Sequence, residues 1–252
     1  MLKLLTFAPA FGEPSASGFC TKAMCLLEMA GLDWEPDICF NPAEMPKQKL
    51  PVLRDGDHFI PDSEQIADYL AATYGADLWW GVNSERKAVG QAVVRMVEEN
   101  LYFAVMHDRW ADDRNWEVIL GLFFGGVPEP MRDTVSNEAR AGAIATLVGQ
   151  GLGRHTERER FERVRKDLES IRTILGDREF LLGDAPVYAD ACVVPMLRGA
   201  AATPHETMLS AWIKKDAALM AYMERGAKAL YPRNKTGLVE YMDDAGPVPA
   251  VA

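Results

Sequence analysis

Leu2 to Phe7 is a short, largely apolar run of strand length, and the loop residues Pro9 to Ser15 interrupt it with Pro, Gly and Ser. The period then changes. Phe19, Ala23, Leu26, Leu27 and Ala30 recur at helical spacing, and Gly31 is a stop signal. Trp34 to Cys39 reads as a second strand. Asn41 to Lys49 holds two prolines and reads as a loop or a short irregular helix. Val52 to Arg54 and His58 to Ile60 flank Asp55-Gly56-Asp57, a hairpin signal. Ser63 to Tyr74 carries Ile66, Tyr69 and Leu70 on one helical face, and Gly75 ends it.

The remaining pattern is helical. Ser84 to about Ala111 predicts one long helix. Pro128 and Pro130 mark a loop before a helix to about Val148. Thr156 with Glu159 is a capping box opening a helix toward Leu175. Gly183 to Pro186 predicts a turn, and Ala189–Thr203 and Ala217–Leu230 two further helices. In the connector ADLWWGVN, Trp79 and Trp80 are expected to be buried between two domains. The chain thus divides into an α/β domain (1–75), a linker (76–83), an all-α domain (84–232) and a tail (233–252), the tail expected to be extended or disordered.

Composition narrows this. The 252 residues are 48% hydrophobic and 25% charged, as in ordinary folded proteins. No run of ~18 apolar residues is present, so no membrane span is expected, and MLKLLTF is too short for a signal peptide. A net charge of -10 disfavours nucleic acid as a partner. Cys20, Cys25, Cys39 and Cys192 form no CxxC pair and no zinc-like cluster. Few cysteines without an export signal fit a cytoplasmic location. His155 and Glu157 lack a third ligand, so no metal is expected. GQGLGRH follows a helix and lacks GK[ST], which makes it a helix–helix turn rather than a phosphate loop.

Two stretches carry candidate chemistry. SASGFCTKAMCLLEMAG puts Ser17 at a helix tip, as a cap or as a hydroxyl facing a substrate's sulfur, with Ser15 as its competitor. In KLPVLRDGDHFIPDSEQIADYL, Pro51 stands just before a strand. A cis bond after Leu50 would bend the chain and leave the Leu50 main chain free to pair with an extended peptide. Asp62-Ser63 opens the next helix, where backbone N–H groups suit a carboxylate and Asp62 suits an ammonium. A ligand with an amino-acid end, an extended backbone and a thiol fits all three features, and glutathione is such a molecule.

The SGFCTK helix, KLPVL, the DGD hairpin and DSEQIADYL together resemble the thioredoxin-like N-terminal domain of glutathione S-transferases. FLLGDAPVYADACV resembles a segment of their all-helical C-terminal domain. FAPAFGEPSASGF, HDRWADD and GQGLGRHTERE are similar to bacterial relatives of the failed-axon-connections and metaxin branch. The resemblance implies the cytosolic glutathione transferase fold, an α/β thioredoxin-like domain followed by an all-α domain. It implies Ser17 as the catalytic residue and Lys49, Leu50, Pro51, Asp62 and Ser63 as the glutathione-binding residues. It further implies an electrophile pocket along the long helix, at Tyr102, Phe103, Arg109 and Trp110. Arg109 is expected in an ion pair or against an anion. Glutathione would be the cosubstrate, its thiolate would attack a small apolar electrophile, and the protein would be a homodimer. The alternative is a catalytically silent interaction module of the same fold.

Two positions depart from the family pattern. Gly18 replaces a proline, which predicts a looser helix tip. Val187 replaces a capping Ser or Thr, with Asp190 three residues on to offset the loss. Cys20 occupies the second position of a CxxC whose first is Ser17, so no disulfide closes there, and a small buried residue is expected.

Overall fold

The computed structural model describes residues 1–232, and the expected tail 233–252 lies outside the described residues. Four strands form one sheet: β1 (Leu2–Thr6), β2 (Trp34–Ile38), β3 (Val52–Asp55) and β4 (His58–Pro61), in the order β2-β1-β3-β4. β1 and β2 run parallel, with α1 (Gly18–Met29) as the crossover. β3 runs antiparallel to β1, with Leu5 opposite Val52, and β4 antiparallel to β3, with Val52 opposite Pro61. This register gathers the C-terminal ends of β1, β2 and β4 and the N-terminal end of β3 along one edge. α2 (Ser63–Tyr74) leaves from that edge, and Tyr69 Oη donates to Asp55 Oδ2 at 2.8 Å, tying the hairpin turn to the helix. A 3₁₀ turn over Pro42–Glu44 is the short irregular helix expected there.

The helical part follows the sheet. α3 (Ser84–Met96), a π turn (Val97–Leu101) and α4 (Tyr102–Trp110) form one continuous rod, so the single long helix expected there carries an inserted π turn. α5 (Asp113–Phe124) was not expected. It is capped by Asp112, whose carboxylate accepts from Arg114 N at 2.9 Å, and its Trp116 and Ile119 are buried. α6 (Met131–Gln150), α7 (Glu157–Leu175), α8 (Tyr188–Ala201) and α10 (Ala217–Leu230) stand close to where the periodicity put them. The short α9 (Met208–Lys215) is a second addition, capped by Thr207.

Both expected capping features are present. Glu159 N donates to Thr156 Oγ1 at 3.3 Å, and Thr156 N returns a bond to Glu159 Oε2 at 2.9 Å. Val187 has no side chain to cap α8. The buried Asp190 accepts instead from Val187 N (2.9 Å), Leu181 N (3.0 Å) and Tyr222 Oη (2.8 Å).

The two parts share one apolar core, in which Met24 and Leu27 of α1 and Val193 and Leu197 of α8 are all buried. Trp79 belongs to it, stacked on Tyr188 with ring centroids 5.2 Å apart. A Cβ on Gly90 would lie 2.8 Å from the Trp79 ring, so this glycine makes room for the indole. Trp80 corrects the expectation of a buried pair: it is 71% exposed. Adjacent residues in a turn point apart, and only one reaches the core. Among the described residues no helix is long and apolar enough to cross a membrane, and no group of three or more His, Cys, Asp or Glu is placed to hold a metal.

Candidate functional site

Ser17 caps α1. Its main chain is extended (φ -110°, ψ 123°), and its hydroxyl accepts from Cys20 N at a long 3.5 Å. Ser17 is half-buried, and its hydroxyl also meets the Cys20 thiol one turn on. No acidic residue stands in the first turn of α1 to offset the positive end of the helix. Ser15 has a different place. It is buried, donates to Phe7 O at 3.1 Å, and accepts from Thr6 Oγ1 at 3.1 Å and from Ser17 N at 3.3 Å. Its hydroxyl is consumed in holding the loop.

A line of contacts runs from Ser17 along the sheet edge. Cys20, one turn into α1, packs in a small apolar cluster with Leu5, Leu50 and Val52. Burial pushes its thiol up, which suits the inert residue expected at this position. The Leu50-Pro51 peptide is cis, and among the described residues the Leu50 main chain makes no hydrogen bond. Pro51 O accepts from Asp62 N at 3.1 Å, which fixes the start of α2 against the bend. Asp62 caps α2 at φ 80°, with Oδ1 accepting from Glu64 N at 2.8 Å. Ser63 is 3% exposed, and its hydroxyl has no hydrogen-bond partner among the described residues. Lys49 is exposed at the rim. The edge therefore presents two helix N-termini with a length of unpaired main chain between them.

The departure at Gly18 has a packing reason. A Cβ there would lie 2.7 Å from Met196 Sδ of α8. The thioether fills the space a side chain would take, so the tip is packed where a looser one was expected.

The long-helix residues divide. Tyr102 packs edge-on against Phe19 (4.8 Å) and Phe103 (5.2 Å), and burial pushes its phenol up. Trp110 faces Trp116 (5.5 Å) and Phe123 (6.2 Å), and Phe123 meets Phe7, just past β1, edge-on at 5.5 Å. α5 thereby lays an aromatic face against the end of β1. Among the described residues Arg109 forms no ion pair, which corrects the first of its two expectations; its Nη1 and Nη2 donate to Ala16 O (3.0 Å) and Gly199 O (2.8 Å), with the guanidinium over the Phe11 ring at 4.4 Å. Burial lowers its pKa to about 10, against the opposing pull of Glu13.

Two buried charge networks carry no pairwise mark in the sequence pattern. Lys22 of α1 is fully buried, with Nζ 2.6 Å from Glu98 Oε1 in the π turn, 2.8 Å from Tyr188 Oη and 4.5 Å from the Tyr188 ring centroid. Burial pushes Cys192 and Tyr188 up to about 12. At neutral pH the countercharge for Lys22 is therefore Glu98, and the ammonium is held above its usual range. Glu98 Oε2 also accepts from Arg95 Nη1 at 3.2 Å, and Arg95 pairs with Glu64, the residue after Ser63. The network joins α1, the first turn of α2 and the long rod. Its signal was a lysine on the face that carries Phe19, Ala23 and Leu26. Glu13 lies in the loop before α1, 5% exposed, and its carboxylate meets Arg198 Nε at 2.7 Å and the Tyr231 hydroxyl. Burial raises its pKa against the lowering pull of Arg198 and Tyr231. An irregular loop has no period to mark such a residue.

Comparison with known proteins gives a consistent answer. Residues 18–115 match the model of the glutathione S-transferase N-terminal domain, and residues 154–225 that of the glutathione S-transferase C-terminal domain. The isoprene-epoxide–glutathione S-transferase of Rhodococcus sp. (strain AD45) is 30% identical over 231 residues, covering 89% of this chain and 97% of that protein. Metaxin-1 of Mus musculus is 24% identical over 76% of this chain, which spans 63% of its length. Apo human glutathione S-transferase T1-1 shares the fold, with a TM-score of 0.57 at 17% identity over 91% of this chain and 84% of that one.

Proposed function

Since the chain belongs to the glutathione S-transferase superfamily, we propose that it binds glutathione along the Leu50 edge and promotes attack of the thiolate on a small apolar electrophile. In this reading residues 1–75 form the glutathione-binding domain, 76–83 the linker and 84–232 the helical domain. One observation carries it: among the described residues the Leu50 main chain makes no hydrogen bond, and it lies between two helix N-termini, each with a serine, Ser17 against the Cys20 thiol and Ser63 with no hydrogen-bond partner among the described residues. The Leu50 N–H and C=O pair with the tripeptide backbone. The γ-glutamyl carboxylate meets Ser63 and the N-terminus of α2, Asp62 takes the ammonium, and Lys49 reaches the glycyl carboxylate.

That arrangement brings the cysteinyl sulfur to Ser17. A free thiol ionises near pH ~8.5. Lowering its pKa by one unit takes ~1.36 kcal/mol of preference for the thiolate. A hydrogen bond to a charged group supplies about 1.5–3 kcal/mol, and the tip of α1 adds to it. Ser17 therefore donates to the sulfur and holds it as thiolate. After the thiol proton passes to water, the thiolate forms a carbon–sulfur bond as the electrophile's carbon–heteroatom bond breaks; the departing atom keeps the electron pair, and for an epoxide the resulting alkoxide takes a proton from water. Tyr102, Phe103, Trp110 and Phe123 supply an apolar wall for that partner. Arg109, engaged with the main chain, is left out of the wall. An epoxide is the first electrophile to try, given the name of the Rhodococcus relative.

The similarity to Metaxin-1 favours a second reading, a catalytically silent interaction module. Retention on glutathione-agarose with elution by free glutathione is the expected result, and passage through the column would favour the module. We place the protein in the cytoplasm as a homodimer. Phe59 on β4, Trp80 in the linker and Val89 on α3 are among the exposed apolar side chains that a second subunit could cover. A monomeric mass by light scattering would remove the dimer.

A further inference from the structure

We propose that Arg198, Tyr231 and Arg109 are positioning residues for Ser17, through which the helical domain holds the loop that carries it. The inference rests on the reading of Ser17 as the thiol's partner.

A helix cap needs only its own hydroxyl and the N–H groups of the first turn. The loop before Ser17 is held by much more. Besides the Ser15 bonds to Thr6 and Phe7, side chains of the helical domain grip it at three points within six residues. Phe11 lies under the Arg109 guanidinium, at 4.4 Å. Glu13 is bonded by Arg198 of α8 at 2.7 Å and by Tyr231, just past α10. Ala16, the residue before Ser17, has its carbonyl bonded by Arg109 at 3.0 Å. Arg109 bridges onward to Gly199 O at 2.8 Å, so α4 and α8 act on the loop as one support. Arg198 also lies over the Tyr231 ring at 5.5 Å, which braces the two Glu13 partners against each other.

The loop needs such support. Phe11 and Gly12 both stand at positive φ, 58° and 71°, and the loop's own main-chain bonds are the Ala10–Glu13 pair and Ala16 N to Ala8 O. A carboxylate removed from water is costly unless fully paired. Glu13 in this place therefore ties the loop to Arg198 and Tyr231 in one geometry. The consequence is local to the sulfur: the clamp sets where the Ser17 hydroxyl stands, while the residues taking the two ends of the tripeptide lie at the bend before β3 and at the start of α2.

The test separates affinity from ionisation. Glutathione is titrated into wild type, Tyr231→Phe, Arg198→Met and Arg198→Lys. Its dissociation constant is read by calorimetry, and its thiolate by ultraviolet absorbance across pH. The expected result is a dissociation constant within about twofold of wild type in all variants. In Tyr231→Phe and Arg198→Met the thiolate midpoint rises by about one unit, roughly a tenfold loss of thiolate at neutral pH, and Arg198→Lys recovers part of it. Should Arg198→Met fail to fold, Tyr231→Phe alone decides. An unchanged midpoint in the folded variants overturns the clamp while leaving Ser17 in its role. A wild-type midpoint equal to that of free glutathione overturns both the Ser17 reading and the clamp.

Discussion

The N–H of Ser17 donates to the hydroxyl of Ser15, 3.3 Å away, and this bond separates two serines that sequence alone left as competitors. Ser15 is buried and bonded to Thr6, Phe7 and Ser17, whereas the half-buried Ser17 lies against the Cys20 thiol, a weak acceptor. Ser15→Ala is expected to lower stability by about 1–3 kcal/mol, because Thr6 and Ser17 N lose a buried partner. Ser17→Ala is expected to fold normally and to lose about 10–100-fold in kcat, with glutathione affinity little changed, as removal of one charge-assisted bond implies. Thermal melts and steady-state kinetics on the two variants check this. Equal melting temperatures with equal kinetic losses would contradict it.

Gly18 and Met196 are expected to be coupled. Gly18→Ala places a methyl 2.7 Å from Met196 Sδ, so it should destabilise despite the better helix propensity of alanine. In Met196→Ala the same change should become neutral or stabilising. A double-mutant cycle by denaturant unfolding measures the coupling, and a value near zero would show that the thioether does not need the space.

Lys22→Met leaves Glu98 buried beside a methyl group. A loss of about 3–5 kcal/mol is expected, as for a buried pair deprived of one partner. Glu98→Gln introduced with it should return much of that loss, since an amide in place of the carboxylate removes the stranded charge. Unfolding of the single and double variants in urea reads the difference.

Asp108 is buried, and burial raises its carboxyl from 3.8 to about 6. The protonated group is thus favoured in the fold. Its stability contribution is complete below pH ~3.8 and is lost as pH rises through about 6. His107 beside it runs the other way. Burial, reinforced by Arg160, lowers it to about 4, so its contribution is complete above pH ~6.5 and is lost as pH falls through about 4. Asp108→Asn isolates the first effect. The unfolding free energy of the variant should match that of wild type at pH 4 and exceed it above pH 6, by a margin of about 2–3 kcal/mol at ~1.36 kcal/mol per unit. A difference that does not change with pH would contradict the assignment.

Local chemistry is what the sequence made readable. The Asp55-Gly56-Asp57 turn placed β3 and β4, Thr156 with Glu159 placed the start of α7, and the proline after Leu50 announced the bend at the sheet edge. α5 and α9 carried signals of the same kind, an acidic cap before Trp116 and Ile119 and a threonine cap before Leu209 and Ile213, but the run from Val118 to Phe124 has no polar position to mark a helical period, and α9 is only 8 residues long. The side-chain anchors of the site were beyond reach for another reason. Lys22 meets Glu98 across 76 positions, and Glu13 meets Tyr231 across 218. Such pairs leave no periodic trace in a single chain. They follow only from how α1 and the loop before it pack against the helical domain, which also turned Gly18 from an expected weak point into a contact with Met196.

Calorimetric titration of the wild-type protein with glutathione bears most directly on the site, with Ser63→Ala run alongside. Saturable one-site heat that weakens about tenfold in Ser63→Ala, at ~1.4 kcal/mol per decade, is the predicted result. Heat that is absent at millimolar glutathione, or identical in the two proteins, would contradict it.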